Sequence, residues 1–229
     1  MKIGIIAAME QELRLLVDKL EDKKEVTVIG NSYYTGRLGR HEVVLVQSGV
    51  GKVMSAMSVA ILVDKFAVEG IINTGSAGAV AAGIAIGDVV IAEKLAYHDV
   101  DLTAFGYAYG QMSAQPLYFE SDKVFVDVFK KILRQHDQAA HLGLIATGDS
   151  FIAGQDKIDR IKAAFPEVLA VEMEGAAIAQ AAHATGRPFI VVRAMSDTAA
   201  HDANMTFDEF IIEAGKRSAQ ILLNFLDIL

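Results

Sequence analysis

The chain of 229 residues contains no cysteine. That absence removes disulfides, thiolate-held zinc, iron–sulfur clusters and cysteine nucleophiles together. It suits a reducing cytoplasm, where the protein is expected to reside. Positive charge is also scarce. Against 29 Asp and Glu stand 21 Lys and Arg, for a formal net charge of −8 and a pI near 5.2. No Lys/Arg cluster offsets this, so phosphate backbones would repel the surface and nucleic acid is excluded as a partner. A secretory signal is not expected, because the apolar run Ile3–Met9 is broken at Glu10 and Glu12. Nor is a membrane span: the uncharged stretch 70–87 holds Asn73, Thr74, Ser76 and five glycines. That mixture reads as a buried strand followed by a glycine loop.

What the chain does have is core material. Hydrophobic residues make up 52% and charged residues 22%, enough for a packed interior and too apolar for disorder. Length and the absence of any linker, repeat or low-complexity segment point to a single domain over residues 1–229. Apolar runs at Lys2–Ala8, Gly70–Thr74, Leu142–Thr147, Val168–Glu172 and Phe189–Met195 predict buried strands. Val26–Ile29, Tyr33–Leu38 and Glu42–Gln47 predict strands joined by hairpins at Gly30-Asn31 and Gly39-Arg40. Helical spacing marks Gln11–Leu20, Gly51–Lys65, Ser121–Arg134 with Ser121 as N-cap, Asp156–Phe165, Gly175–Thr185 and Phe207–Leu226. Strands alternating with helices, several strands being apolar throughout, predict an α/β layered fold with a largely buried sheet. Residues 95–120 show no clear period, and loops of that length usually carry function.

In such sheets ligands bind beyond the carboxyl ends of strands. The residues just past each predicted strand are Met9, Glu10 and Glu12; Ser48-Gly-Val-Gly-Lys52; Thr74-Gly-Ser-Ala-Gly78; Gly148-Asp-Ser-Phe-Ile152; Glu172-Met-Glu174; and Ser196-Asp197. Carboxylates, small hydroxyls, glycine turns and apolar groups together suit a neutral polar small molecule with an aromatic part. Familiar alternatives fail on the letters. Gly49-Val-Gly51-Lys52 is not a P-loop, since position 46 is Val and no Ser or Thr follows Lys52. Neither Ser76 nor Ser150 lies in Gly-x-Ser-x-Gly. His98, Asp99 and Asp101 are too few for a metal site, and His41, His136, His141, His183 and His201 form no ligand spacing. No metal is expected.

The segments 3–12, 48–53, 72–78, 103–111 (Thr103-Ala-Phe-Gly-Tyr-Ala-Tyr-Gly-Gln111), 170–174 and 192–197 together resemble the bacterial 5′-methylthioadenosine/S-adenosylhomocysteine nucleosidases. The resemblance spans essentially the whole chain. It implies an α/β/α sandwich around a mixed sheet, a homodimer, no cofactor, and hydrolysis of the N-glycosidic bond to adenine, in methionine salvage and S-adenosylhomocysteine recycling, with 5′-deoxyadenosine as a further substrate. Asp197 then looks like the general acid for adenine N7, with a pKa raised by burial. Glu12 looks like the base for the attacking water. Position alone would not choose it over Glu10; the family pattern does. Ser76 and Arg193 match positions that hold that water or the carboxylates, although a buried arginine requires a carboxylate partner in any case. Glu174 would accept both ribose hydroxyls. Met173 would pack beside the sugar, Phe151 on the purine and Ile152 at its edge, with Ser196 beside the acid. Met9, Val50 and Phe207 would line the 5′-thioalkyl pocket, and Gly78 would let the chain approach the ligand. Leu102 and Phe105 would reach in from the neighbouring subunit.

Two rivals remain at this level. A phosphorylase would need basic groups around its phosphate, and Arg193 is the one candidate. A binding module would not need Asp197 and Glu12 together.

Overall fold

The computed structural model describes residues 1–136, 140–199 and 203–229. Ten strands form one mixed sheet: β1 (Lys2–Ala7), β2 (Glu21–Val28), β3 (Asn31–Leu38), β4 (His41–Gln47), β5 (Gly70–Ala79), β6 (Val89–Tyr97), β7 (Phe119–Glu120), β8 (Ala140–Thr147), β9 (Val168–Glu172) and β10 (Phe189–Asp197). Helices flank it: α1 (Glu10–Lys19), α2 (Lys52–Asp64), α3 (Lys123–His136), α4 (Gln155–Ala164), α5 (Gly175–Ala184) and α6 (Ala203–Ile228).

Parity along the strands decides which helices they meet. Ile3, Ile5, Ile190 and Val192 pack with Leu13, Leu16, Phe129 and Phe225 of α1, α3 and α6. Their neighbours Ile6, Val191 and Met195 pack with Val59 and Leu62 of α2 and Ile178 of α5. Coverage of both faces explains why β1 and β10, Arg193 and the polar end of β10 apart, are apolar on both faces. Gly4 leaves room for α2: a Cβ there would meet Leu62 at 2.9 Å.

The strand order is β10-β6-β8-β9-β5-β1-β4-β3-β2, and β10 also pairs with β5. Five strands, β5, β10, β6, β8 and β9, therefore close on themselves, while β1, β4, β3 and β2 extend from β5 as an open wing. β5 changes partners along one edge. Gly70–Asn73 pair with β1, and Gly78 and Ala79 pair with β9. Between them that edge has no strand partner, while β10 covers the other edge from Ile71 to Gly78. Because β9 runs antiparallel to β5, and Gly78 pairs with Val171, their carboxyl ends meet. The ligand-facing ends thus converge from two directions rather than lining a single edge.

Several expectations shift in detail. The first hairpin turns on Ile29-Gly30, both at positive φ (48° and 80°), with Asn31 already in β3. That is the geometry of a two-residue primed turn, which matches strand twist. Helix α3 is capped by Asp122, whose Oδ1 accepts from the backbone N–H groups of Val124 (2.9 Å) and Phe125 (3.1 Å). Ser121 is buried with its Oγ unpartnered. A carboxylate at the N-cap satisfies two helix donors and complements the dipole, so it displaces the preceding serine from that role. No described helix is long and apolar enough to cross a membrane.

Candidate functional site

One cavity of about 240 Å³ opens where the strand ends meet. Met9, Glu12, Val50, Ser76, Gly78, Phe151, Ile152, Met173, Glu174, Arg193, Ser196, Asp197 and Phe207 all line it. Leu102 and Phe105 do not: Leu102 is half-buried elsewhere, and Phe105, after a short 3₁₀ turn at Thr103–Phe105, is 79% exposed.

Glu12 sits at the third position of α1, where a side chain reaches back to the residues before the helix. Its Oε2 accepts from the backbone N–H groups of Ala8 and Met9, each at 3.1 Å. Its Oε1 accepts from Ser76 N–H and Ser76 Oγ–H, each at 2.8 Å. The carboxylate therefore fills the unpaired stretch of the β5 edge. Glu10, two residues earlier, is exposed and does not line the cavity, so geometry separates two acids that position alone did not. Gly75 makes the approach possible: a Cβ there would stand 2.6 Å from Arg193 Nη1 and 2.8 Å from Glu12 Oε1. From behind, Gly215 of α6 lets that helix press on α1, since a Cβ would lie 3.0 Å from Glu12 Cα.

Asp197 ends β10. Its Oδ1 accepts from Ala199 N–H at 2.7 Å, and its Oδ2 accepts from Ser196 Oγ–H at 3.0 Å. Gly78 serves this carboxylate directly. A Cβ there would come within 2.8 Å of Asp197 Oδ1, so the space it leaves is taken by the acid as well as by the cavity. Phe151 and Phe207 meet edge to face, centroids 5.7 Å apart, and form an apolar wall.

Arg193 is fully buried and heavily engaged. Its Nη1 donates to Ser76 O (3.1 Å), and its Nη2 lies against Asn73 Oδ1 (2.6 Å), Glu174 Oε2 (3.3 Å) and Glu172 Oε2. Glu172 was named past its strand but given no role, yet it organises this corner. It also accepts from Thr147 Oγ1–H and from the backbone N–H groups of Glu174 (2.9 Å) and Gly175 (2.7 Å). An acid closing the apolar run 168–171 was the signal available for it. Ser218 of α6 was missed. Its hydroxyl lies 2.6 Å from Thr74 Oγ1 and accepts from Gly75 N–H at 3.2 Å, pinning β5 beside Glu12.

The match to known proteins agrees with this geometry. The phosphorylase superfamily model covers residues 2–227. The 5′-methylthioadenosine/S-adenosylhomocysteine nucleosidase of Actinobacillus succinogenes is 47% identical over 226 residues, spanning 99% of this chain and 98% of that one. The S-adenosylhomocysteine nucleosidase of Streptococcus pyogenes, solved with 5-methylthiotubericidin, superposes with a TM-score of 0.99 at 71% identity, covering 100% of this chain and 97% of that one. The chain belongs to the 5′-methylthioadenosine/S-adenosylhomocysteine nucleosidase family within the phosphorylase superfamily. A further structure, an aspartate-to-asparagine variant of the Helicobacter pylori nucleosidase with 5′-methylthioadenosine in its active site, matches with a TM-score of 0.96 at 31% identity, over 100% of this chain and 99% of that one.

In this member of the nucleosidase family the cavity is rich in carboxylate. Burial raises the pKa of Asp197 above the usual carboxylate range, although Ala199 N–H and Ser196 Oγ–H pull the other way. Burial likewise lifts Glu174 to about 7; Arg193 and the Gly51 N–H oppose that rise, while Glu172 and Glu12 add to it. Burial works against the charge of Arg193, but Glu172, Glu174 and Glu12 outweigh it and hold the guanidinium above its ordinary value. Arg193 is the only basic side chain lining the cavity among the described residues; both of its terminal nitrogens already donate within the protein, while its Nε has no partner. Among the described residues no cluster of acidic, His or Cys side chains could hold a metal. His201 and the side chain of His136 lie outside them.

Proposed function

We propose that this chain hydrolyses the N-glycosidic bond of 5′-methylthioadenosine and S-adenosylhomocysteine, releasing adenine and the 5-thioribose product, with 5′-deoxyadenosine as a further substrate. The observation that carries the reading is that two buried carboxyl groups from different elements face one cavity: Glu12 of α1, bonded at Ser76, and Asp197 at the end of β10, seated against Gly78. One can serve as acid and the other as base. Asp197, its pKa raised by burial, donates its proton to adenine N7 as the bond to C1′ breaks. Glu12 takes a proton from the water whose oxygen bonds to C1′. The sugar passes through a cation-like state. Three carboxylates around one arginine leave an excess of buried negative charge that favours such a state. Glu174 accepts the ribose hydroxyls, and the Phe151–Phe207 wall receives the purine side.

Phosphorolysis is the weaker reading, because a phosphate would find Arg193 already bound to Ser76, Asn73, Glu172 and Glu174. Adenine release from 5′-methylthioadenosine, followed with and without added phosphate, tests both. Release at the same rate without phosphate is expected; dependence on phosphate would reverse the reading.

The functional unit in this proposal is a homodimer of single-domain chains in the cytoplasm, working without a cofactor in methionine salvage and S-adenosylhomocysteine recycling. Zero cysteine supports the compartment. Exposed apolar side chains support the dimer: Phe105, Tyr109 and Met112 on the 98–118 segment, and Val50, Val53 and Met57 at the start of α2. Such clusters mark interaction surfaces. Leu102 and Phe105 would then cover the neighbour's 5′-thioalkyl group. Phe105→Ala should raise KM for 5′-methylthioadenosine by the equivalent of roughly 1–3 kcal/mol, the scale of burying one apolar side chain. KM for adenosine, which has no thioalkyl group, should change little. Equal KM values for parent and variant on both substrates, or full activity from a sedimenting monomer, would refute the shared site.

A further inference from the structure

The glycine turn before α2 belongs to a feature outside the proposed chemistry. α2 has no acidic residue in its first turn, and its N-cap, Gly51, offers no side chain. Helix starts leave N–H groups that must be satisfied, and here other elements satisfy them. Gly51 N–H donates to Glu174 Oε1 at 2.8 Å, and Lys52 N–H donates to Asp149 Oδ1 at 2.8 Å. The Lys52 ammonium then lies 2.7 Å from Asp99 Oδ2 and 3.6 Å from Asp149 Oδ2. Asp99 Oδ2 also accepts from Asp149 N–H at 2.9 Å, and the ammonium sits 5.4 Å from the centre of the Tyr97 ring. Lys52 does not line the cavity. It fastens together the start of α2, the loop leading to Phe151 and the segment that follows β6.

We propose that Lys52 is a positioning residue: through Asp99 and Asp149 it fixes the start of α2 so that Gly51 N–H stays on Glu174 and that carboxylate keeps its orientation toward the sugar. This rests on the ribose-binding role given to Glu174 above. Lys52→Met changes no cavity-lining residue. It removes the cation that holds two aspartates beside one another, so the loops relax apart and Glu174 loses its only described donor from α2. The groups facing Glu174 are then Arg193 from β10, Glu172 from β9 and Glu12 from α1. Losing an N–H donor raises the pKa of a carboxyl group.

The test is steady-state adenine release from 5′-methylthioadenosine across pH, using the full chain. In the parent, kcat/KM should fall as pH drops through about 7, where Glu174 takes up its proton. In Lys52→Met, KM should rise roughly three- to tenfold, the scale of one weakened hydrogen bond. Its kcat should change less than twofold, and the acid limb should move to higher pH. Lys52→Arg should restore all three. In a Glu174→Gln background the KM effect of Lys52→Met should largely vanish, since the two would act through one contact. Unchanged KM and acid limb in folded Lys52→Met, or an undiminished effect in the Glu174→Gln background, would overturn the proposal. If Lys52→Met does not fold, Asp99→Asn carries the same expectations and the same refutation. A parent that releases no adenine would overturn the nucleosidase reading, and this inference with it; an active parent with unaffected variants overturns this inference alone.

Discussion

Asp197→Asn will fold normally and lose adenine release by about 10²–10⁴-fold, the usual contribution of a positioned general acid. The fold should survive because the amide oxygen can still accept from Ala199 N–H, while the amide nitrogen can donate to a rotated Ser196 hydroxyl. Size and burial are kept. What disappears is a transferable proton at the place where the leaving purine needs one. The parent should show the matching pH behaviour. Burial lifts the acid's pKa, so the protonated form persists to higher pH than in an exposed aspartate, and activity falls as rising pH removes that proton. The measurement is single-turnover adenine release beside a thermal melt. Near-parental turnover in the variant would end the assignment of Asp197 as the acid.

Glu12→Gln should lose activity on a similar scale, about 10²–10⁴-fold, because the water loses its base. It should also destabilise the chain, which Asp197→Asn should not. Each oxygen of Glu12 accepts two hydrogen bonds, one pair from Ala8 and Met9 and the other from Ser76. A glutamine cannot satisfy both pairs: even turned toward Ser76, whose hydroxyl can rotate to accept, its amide nitrogen faces a backbone N–H that it cannot accept from. A buried unsatisfied donor costs about 1–3 kcal/mol, so the melting midpoint should drop as well. Glu10→Gln, on the exposed side of the same helix, should leave rate and melting close to parental. A damaged Glu10→Gln enzyme beside a healthy Glu12→Gln enzyme would reverse the assignment.

How far the sequence could be read depended on where the polar groups lie. Val168–Glu172 has the same bounds in sequence pattern and structure because its apolar run is closed by an acid. β2 begins five residues before the expected strand, at Glu21 rather than Val26. Its first residues are exposed and charged, as suits the outer edge of a sheet, and a search for apolar alternation passes over them. β5 continues beyond Thr74 through Gly75-Ser-Ala-Gly78, which looks like a loop on paper. It stays extended because β10 supplies a ladder on one edge while Glu12 accepts from Ser76 N–H, where no strand covers the other. Most cavity residues were legible because they follow strand ends, Glu172 among them, whereas Arg193 and Phe207 came only with the family resemblance. The pairing of Glu172 with Arg193 was not legible, since Arg193 comes from β10, on the other side of β5 from β9. That proximity exists only once the strands close.

The closed circuit of strands also fixes when the site is assembled. Ser76, Glu172, Arg193 and Asp197 all belong to it, and each of its strands has a neighbour on both sides, with Glu12 taking the Ser76 N–H in the stretch of β5 that no strand covers. Aligning these groups is therefore a cost of folding, met before any nucleoside arrives, and binding energy remains available for the chemistry. Glu12 stands outside the circuit on α1 and is tied to it through Ser76. Asp197 and Arg193 could not move without reopening the sheet.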